Sequence, residues 1–243
     1  MTKKIYLSVA APVFNEEKNI EQVIRYWNGI LDSAAFISEI VVTNDGSTDK
    51  TLSILTRLKK EIPRLKIVNH EKNCGYGQAL TSAIRNTSGE LIVMLDSDGQ
   101  FDLKEYELLL NKAVKEKLDG VTGFRKKKKD TIMRVLLDRI LNLIIRIFFH
   151  IQFRDTNCAL KLIKGDIIRR IDLEAKGYPT PTEIVVKLSA IGARIAEVGI
   201  THTEREAGIS KLKPFKTAVN FLRFLLYLKL KVLLYNKNII YKL

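Results

Sequence analysis

The residues of this 243-residue chain with the clearest chemical potential are aspartates beside glycines. In LDSDGQFD, Asp96 and Asp98 stand two apart, and a bend there lets both reach one cation. Such a pair suits Mg2+ or Mn2+, hard cations that take oxygen ligands and also hold a diphosphate. Turns are rich in Asp and Gly for their own reasons, so the bare spacing serves a simple turn equally well. Asp45 in TNDGST ends an apolar run in the same way. Gly75 and Gly77 in CGYGQAL precede a helical pattern, where they allow close backbone approach to a ligand or merely make a turn. Cys74 and Cys158 cannot form a disulfide framework, and no Cys/His grouping has zinc spacing. A reduced, cytosolic setting follows. His70, His150 and His202 are isolated from one another, which assigns them surface or internally satisfied roles.

The elements that must position these residues alternate through the first half. Apolar runs at 5–11, 39–45, 65–70, 90–95 and 120–124 are suited to buried strands. Between them lie helical patterns from Glu16 to about Leu31, from about Thr48, from Gly77 to Asn86, and near 103–117. Wholly apolar strands separated by helices indicate βαβ units and a parallel sheet covered on both faces. Ligands of such sheets sit at the carboxyl ends of the strands, where Asp45, Asp96 and Asp98 fall. The N-terminal stretch lacks a small-residue cleavage pattern, so no signal peptide is expected.

The second half differs in charge. Residues 1–124 carry 16 Lys and Arg against 17 Asp and Glu, whereas residues 125–243 carry 25 against 10. One basic half implies an anionic partner for that half. Residues 131–151 gather Arg134, Asp138, Arg139, Asn142, Arg146 and His150 on an arc of roughly 160°, with an apolar remainder. The stretch from Pro214, with FLRFLLYLKLKVLLY, is similar but less regular. Neither offers the run of about 18 uncharged apolar residues that a spanning helix needs. Both suit helices lying in a membrane interface, and equally two helices that cover a core. The basic run RKKKK at 125–129 favours the membrane.

The order of motifs says more than any one of them. PVFNEE follows the first strand, NDGSTD the second, GYGQA opens the third helix, and DSDGQ follows the fourth strand. GFR (123–125), DTNCALKL (155–162), EVGITH (197–202) and REAGISK (205–211) continue the series. This set resembles family-2 glycosyltransferases of the GT-A fold, and within them the dolichyl- or polyprenyl-phosphate hexose synthases, from residue 5 to about 213. The resemblance implies an α/β fold: a Rossmann-like, mostly parallel sheet flanked by helices, with amphipathic interface helices in the second half. It implies a transferase domain over 1–213 with the segment 131–151 inserted, followed by a membrane-associating helix over 214–243.

The same resemblance implies roles. Pro12, Phe14 and Glu16 line the base and ribose, Asp45 anchors the nucleoside, and Gly77 and Ser97 belong to the nucleotide-sugar site. Asp96, Asp98 and Gln100 hold Mg2+ or Mn2+ and the diphosphate. Arg125, Arg139, Arg205, Ser210 and Lys211 receive an acceptor phosphate, with Asp98 and Arg125 in the catalytic set. Glu183 stands where other family members place an acidic base; alternatively it is a carboxylate favoured by the start of its helix. The implied reaction is an inverting transfer of a hexose from GDP or UDP to a polyprenyl phosphate, at the cytoplasmic face of a membrane and without a spanning segment. A sugar hydroxyl acceptor, which needs a general base, is the competing reading. A nucleic-acid-binding role for the basic half lacks any recognisable binding motif, so no nucleic acid partner is expected.

Overall fold

A computed structural model describes residues 4–126, 132–203 and 214–243. In chain order the elements are β1 (Leu7–Val13), α1 (Ile20–Asp32), β2 (Ser38–Asp45), α2 (Thr51–Glu61), β3 (Leu65–His70), α3 (Tyr76–Arg85) and β4 (Leu91–Met94). A 3-10 turn (Leu103–Glu105), α4 (Tyr106–Lys115), β5 (Gly120–Arg125), α5 (Ile132–Phe149), β6 (Lys161–Lys164) and α6 (Gly165–Ile168) follow. The chain continues through α7 (Thr180–Ala190), β7 (Ile195–Ile200) and α8 (Pro214–Asn236). The expected alternation of strands and helices is found, and so is the mostly parallel sheet.

The seven strands run in the order β3-β2-β1-β4-β6-β5-β7. All neighbours pair in parallel except β6, which is antiparallel to both β4 and β5. β1 is central and buried along its whole length. Successive side chains of a strand point to opposite faces, and here each face has its own core. Leu7, Val9, Ala11 and Val13 pack with Trp27, Leu55 and Leu109, while Ala10 packs with Leu80, Ile84, Ile92 and Met94. That two-sided burial is why these strands read as unbroken apolar runs.

A third cluster settles where the two basic helices go. Ile145 of α5 and Phe221, Leu225 and Leu228 of α8 are buried with Val185 and Val186 of α7. One face of each helix therefore covers the core. The other face is apolar too: Ile140, Leu143 and Ile147 of α5 and Leu222, Leu226, Leu230 and Leu233 of α8 are exposed. Both readings of these helices thus find a face that fits. No helix among the described residues is long and apolar enough to cross a membrane.

Candidate active site

The loops that follow β1 and β2 are stitched together before any ligand is considered. Asn15 adopts φ 53°, a left-handed conformation that Asn tolerates better than most residues. From there its amide donates to the Ser47 hydroxyl at 3.0 Å, and its side-chain oxygen accepts the Thr48 amide at 2.8 Å. The Glu16 amide donates to Thr51 Oγ1 at 2.9 Å, and Glu16 Oε2 accepts from Asn19 at 3.1 Å. Pro12 is buried at the end of β1, and its carbonyl accepts the buried Ser97 hydroxyl at 2.8 Å. Phe14 is half-buried. Pro12, Phe14, Glu16, Asp45 and Ser97 are thereby gathered at one edge of the sheet.

Asp45 is the most constrained of them, with its side chain 3% exposed. Its Oδ1 accepts the Cys74 amide at 2.9 Å and meets His70 Nδ1 at 2.7 Å, while Oδ2 accepts the Gly75 amide at 2.9 Å. Gly75 caps α3 with φ 93°, a conformation that requires glycine, and so points its amide at Asp45. Gly77 answers a packing need as well. A Cβ there would lie 1.7 Å from the Ala175 carbonyl oxygen, so its missing side chain lets α3 pack against the 172–180 segment.

That segment gives Glu183 structural partners that weigh against the expected catalytic role. The side chain is fully buried at the start of α7. Its oxygens accept the amides of Glu174 and Ala175 at 2.9 Å each and pair with Lys187 at 2.7 Å. In this arrangement every partner of the carboxylate belongs to the protein's own framework. Glu183 braces the loop on which Gly77 rests, through loop amides and Lys187 and not through the amides at the start of its own helix.

Asp96 and Asp98 follow β4 on a bend, both half-buried. Asp98 Oδ1 accepts the Gln100 amide at 3.1 Å, and Gly99 takes φ 78° with open space around it. Burial, the Tyr76 hydroxyl's hydrogen bond to Asp96 and the charges of both aspartates push the Tyr76 pKa well up. Gln100 is drawn aside, its Nε2 donating to the Thr203 carbonyl at 3.3 Å. Two hard carboxylates on a bend beside open space fit Mg2+ or Mn2+. Another grouping, Asp45, His70 and Cys74, brings three ligand-type atoms within 4.8 Å. Its mixed oxygen, nitrogen and sulfur donors suit a softer ion, and the Asp45–His70 hydrogen bond already accounts for their approach.

On the far side of β6, Arg125 ends β5. Its Nε and Nη2 grip the two oxygens of Asp155 at 2.7 and 3.0 Å, and Nη2 also reaches Asp138 of α5 at 3.3 Å. Burial pulls the guanidinium pKa down, but the bonds to Asp155 and the carboxylate charges outweigh it, and the net shift is upward. Nη1 has no hydrogen bond among the described residues. Asn142 of α5 binds the next residue, accepting the Thr156 amide at 3.0 Å. Lys161 is buried behind this cluster, donating to Thr122 Oγ1 at 2.8 Å and the Thr156 carbonyl at 3.3 Å, and burial lowers its pKa to about 8. Arg139 is exposed on α5. Arg205, Ser210 and Lys211 lie outside the described residues. Sequence reasoning missed His70 and Tyr76 as partners of the aspartates; only their places, at a strand end and between two glycines, hinted at it.

The chain is similar to proteins of known activity. The chain is 28% identical over 240 residues to the dodecaprenyl-phosphate galacturonate synthase of Rhizobium johnstonii, covering 94% of this chain and 69% of that one. It is 29% identical to a dolichyl-phosphate beta-glucosyltransferase of Trichomonas vaginalis, over 86% of this chain and 68% of that one. An undecaprenyl-phosphate 4-deoxy-4-formamido-L-arabinose transferase of Salmonella paratyphi A is 30% identical, over 84% and 62%. This chain thus spans about two thirds of the length of these relatives. Among solved structures, glucosyl-3-phosphoglycerate synthase of Mycobacterium tuberculosis, crystallised with Mn2+, UDP and phosphoglyceric acid, superposes with a TM-score of 0.69 at 20% identity, covering 94% of this chain and 78% of that one. The same enzyme was also crystallised with Mg2+ and UDP. The likeness establishes the GT-A fold. The model of glycosyl transferase family 2 matches residues 8–173, and the chain belongs to that family.

Proposed function

We propose that this glycosyltransferase moves a hexose from a nucleoside diphosphate to a polyprenyl phosphate at a membrane surface. The reading rests on one observation: Arg125 and the Asp96/Asp98 bend lie at the same edge of one sheet, with the apolar-faced helix α5 tied to the arginine through Asp138. The relatives that act on dodecaprenyl, dolichyl and undecaprenyl phosphates support it.

Asp45 would anchor the nucleoside, with Pro12, Phe14 and Glu16 around it. Asp96 and Asp98 would hold Mg2+ or Mn2+, which as a Lewis acid stabilises the departing diphosphate. Arg125, oriented by Asp155 and Asp138, offers Nη1 to the acceptor phosphate, and a guanidinium holds a phosphate well because its planar donors match the oxygens. The phosphate oxygen attacks the anomeric carbon as the bond to the nucleoside diphosphate breaks, and the anomer inverts. The acceptor is already an anion, so this step needs no base; the burial of Glu183 agrees with that and disfavours a sugar hydroxyl acceptor. We place the enzyme peripherally on the cytoplasmic face, with residues 1–213 carrying the transferase site and α8 packed on them by its inner face, its outer apolar face turned to the membrane.

The test compares a short-chain polyprenyl phosphate with sugar acceptors, using UDP- and GDP-hexoses with Mn2+. Transfer to the lipid phosphate is expected, and transfer to sugars alone overturns the reading. Asp98→Ala should keep the fold, since the side chain is half-buried at a bend, and should lower transfer by about 100-fold or more.

A further inference from the structure

His70 ends β3 directly opposite Asp45, its register partner on β2. Both ring nitrogens are engaged, Nδ1 with Asp45 Oδ1 at 2.7 Å and Nε2 with the Ser82 hydroxyl of α3 at 2.9 Å. An ionised carboxylate only accepts, so Nδ1 carries the proton. Nε2 then accepts from Ser82 when the ring is neutral and donates to it when the ring is charged. The hold on Asp45 is the same in both forms. Among the described residues His70 and the Cys74 amide lie on Oδ1 and only the Gly75 amide on Oδ2, which gives the carboxylate a fixed rotamer and leaves a lone pair of Oδ2 for one more donor.

We propose that His70 is a positioning and specificity residue, which holds Asp45 so that Oδ2 accepts a ring N–H from the nucleobase. The inference rests on the donor-site reading above and adds to it the class of base selected. Uracil, through N3–H, and guanine, through N1–H, satisfy such an acceptor. Cytosine presents a bare N3 there, which sets lone pair against lone pair and leaves a buried acceptor unpaired. A merely structural histidine would affect folding without affecting this choice. Without His70 the carboxylate keeps only one amide on each oxygen, from Cys74 and Gly75, and with this weaker hold on Oδ1 it binds less tightly and chooses less sharply.

The experiment is calorimetric titration of UDP, GDP and CDP, with Mn2+ present and no acceptor, into the wild type and four variants. Asp45→Ala serves as reference. His70→Ala is expected to weaken binding of the preferred nucleotide about tenfold, the cost of one hydrogen bond to a charged group, and to narrow the margin over CDP. His70→Asn puts an amide N–H where Nδ1 stood and should recover most of both. His70→Gln reaches toward Ser82 instead and should not. Melting temperatures of the Asn and Gln variants should agree, so that the difference between them reports orientation and not folding. In turnover, KM for the nucleotide sugar should rise while kcat falls much less. If Asp45→Ala loses nucleotide but His70→Ala binds as the wild type does, or if Asn and Gln behave alike, the role of His70 is refuted. If Asp45→Ala binds normally, or if no nucleotide binds the wild type, the donor-site reading fails and the inference with it.

Discussion

Cys74 and Cys158 show at the scale of single residues how far surroundings decide chemistry. Cys158 is fully buried, and burial followed by the nearby charge of Asp155 pushes its thiol up to about 12. It therefore stays protonated and inert at neutral pH. Cys74 is exposed, on the loop whose amide holds Asp45. Iodoacetamide at pH 8 should give one adduct, on Cys74, and UDP should slow its formation; a second adduct on Cys158 by mass spectrometry would contradict the burial. Glu183 carries a second prediction. Glu183→Gln breaks a buried ion pair with Lys187 and should cost about 3–5 kcal/mol of stability, read from urea denaturation, while the folded enzyme keeps most of its kcat. A stable variant with collapsed kcat would restore a catalytic carboxylate. The placement of Asp45, Asp96 and Asp98 at strand ends was legible because each follows an apolar run, and a strand end is where such a sheet exposes its chain. The burial of Glu183 was not, because its partners Glu174 and Ala175 sit in a loop with no periodic signature.

Among the elements, α8 and the 172–180 loop are joined through one carboxylate. Glu174 accepts from Tyr227 of α8 at 2.8 Å and pairs with Lys231 of α8 at 2.6 Å and Lys187 of α7 at 2.9 Å. Burial raises its pKa, but those three partners bring it from 4.5 down to about 2. The folded state thus favours the ionised form. Its contribution to stability is complete above pH 4.5 and is lost as the pH falls toward 2. The urea midpoint of the wild type should exceed that of Glu174→Gln at pH 6, and the gap should shrink by pH 3.5. A gap independent of pH would show that the three bonds do not depend on the charge. Because the same loop bears on Gly77, the variant should also bind UDP more weakly. β1, β2 and β4 were legible for a plain reason, since burial on both faces favours an apolar run, whereas the edge strand β3 is interrupted by the exposed Lys66 and Asn69. β6 was not: KLIK is four residues long, and its first lysine is buried, held by Thr122 and the Thr156 carbonyl. α7 is buried nearly all round, which erases the one-sided pattern that marks a surface helix.

For the molecule as a whole, the excess of cations in the second half and the exposed apolar faces of α5 and α8 belong to the same region of chain. Neither alone selects a partner: cations attract any polyanion, and an apolar face suits any apolar surface. Together they favour an anionic lipid surface, which satisfies both at once. Removing α8 would be a poor test, because Phe221, Leu225 and Leu228 are core residues and each such loss costs about 2–5 kcal/mol. Leu226→Glu with Leu230→Glu changes only the outer face, where the two side chains are 61% and 57% exposed. The wild type should sediment with vesicles containing phosphatidylglycerol, and added salt should release part of it. The double variant should sediment much less while its melting temperature and UDP affinity stay unchanged. Equal sedimentation of the two proteins would remove α8 from the contact, and binding to duplex DNA stronger than to vesicles at physiological salt would turn the basic half toward nucleic acid instead.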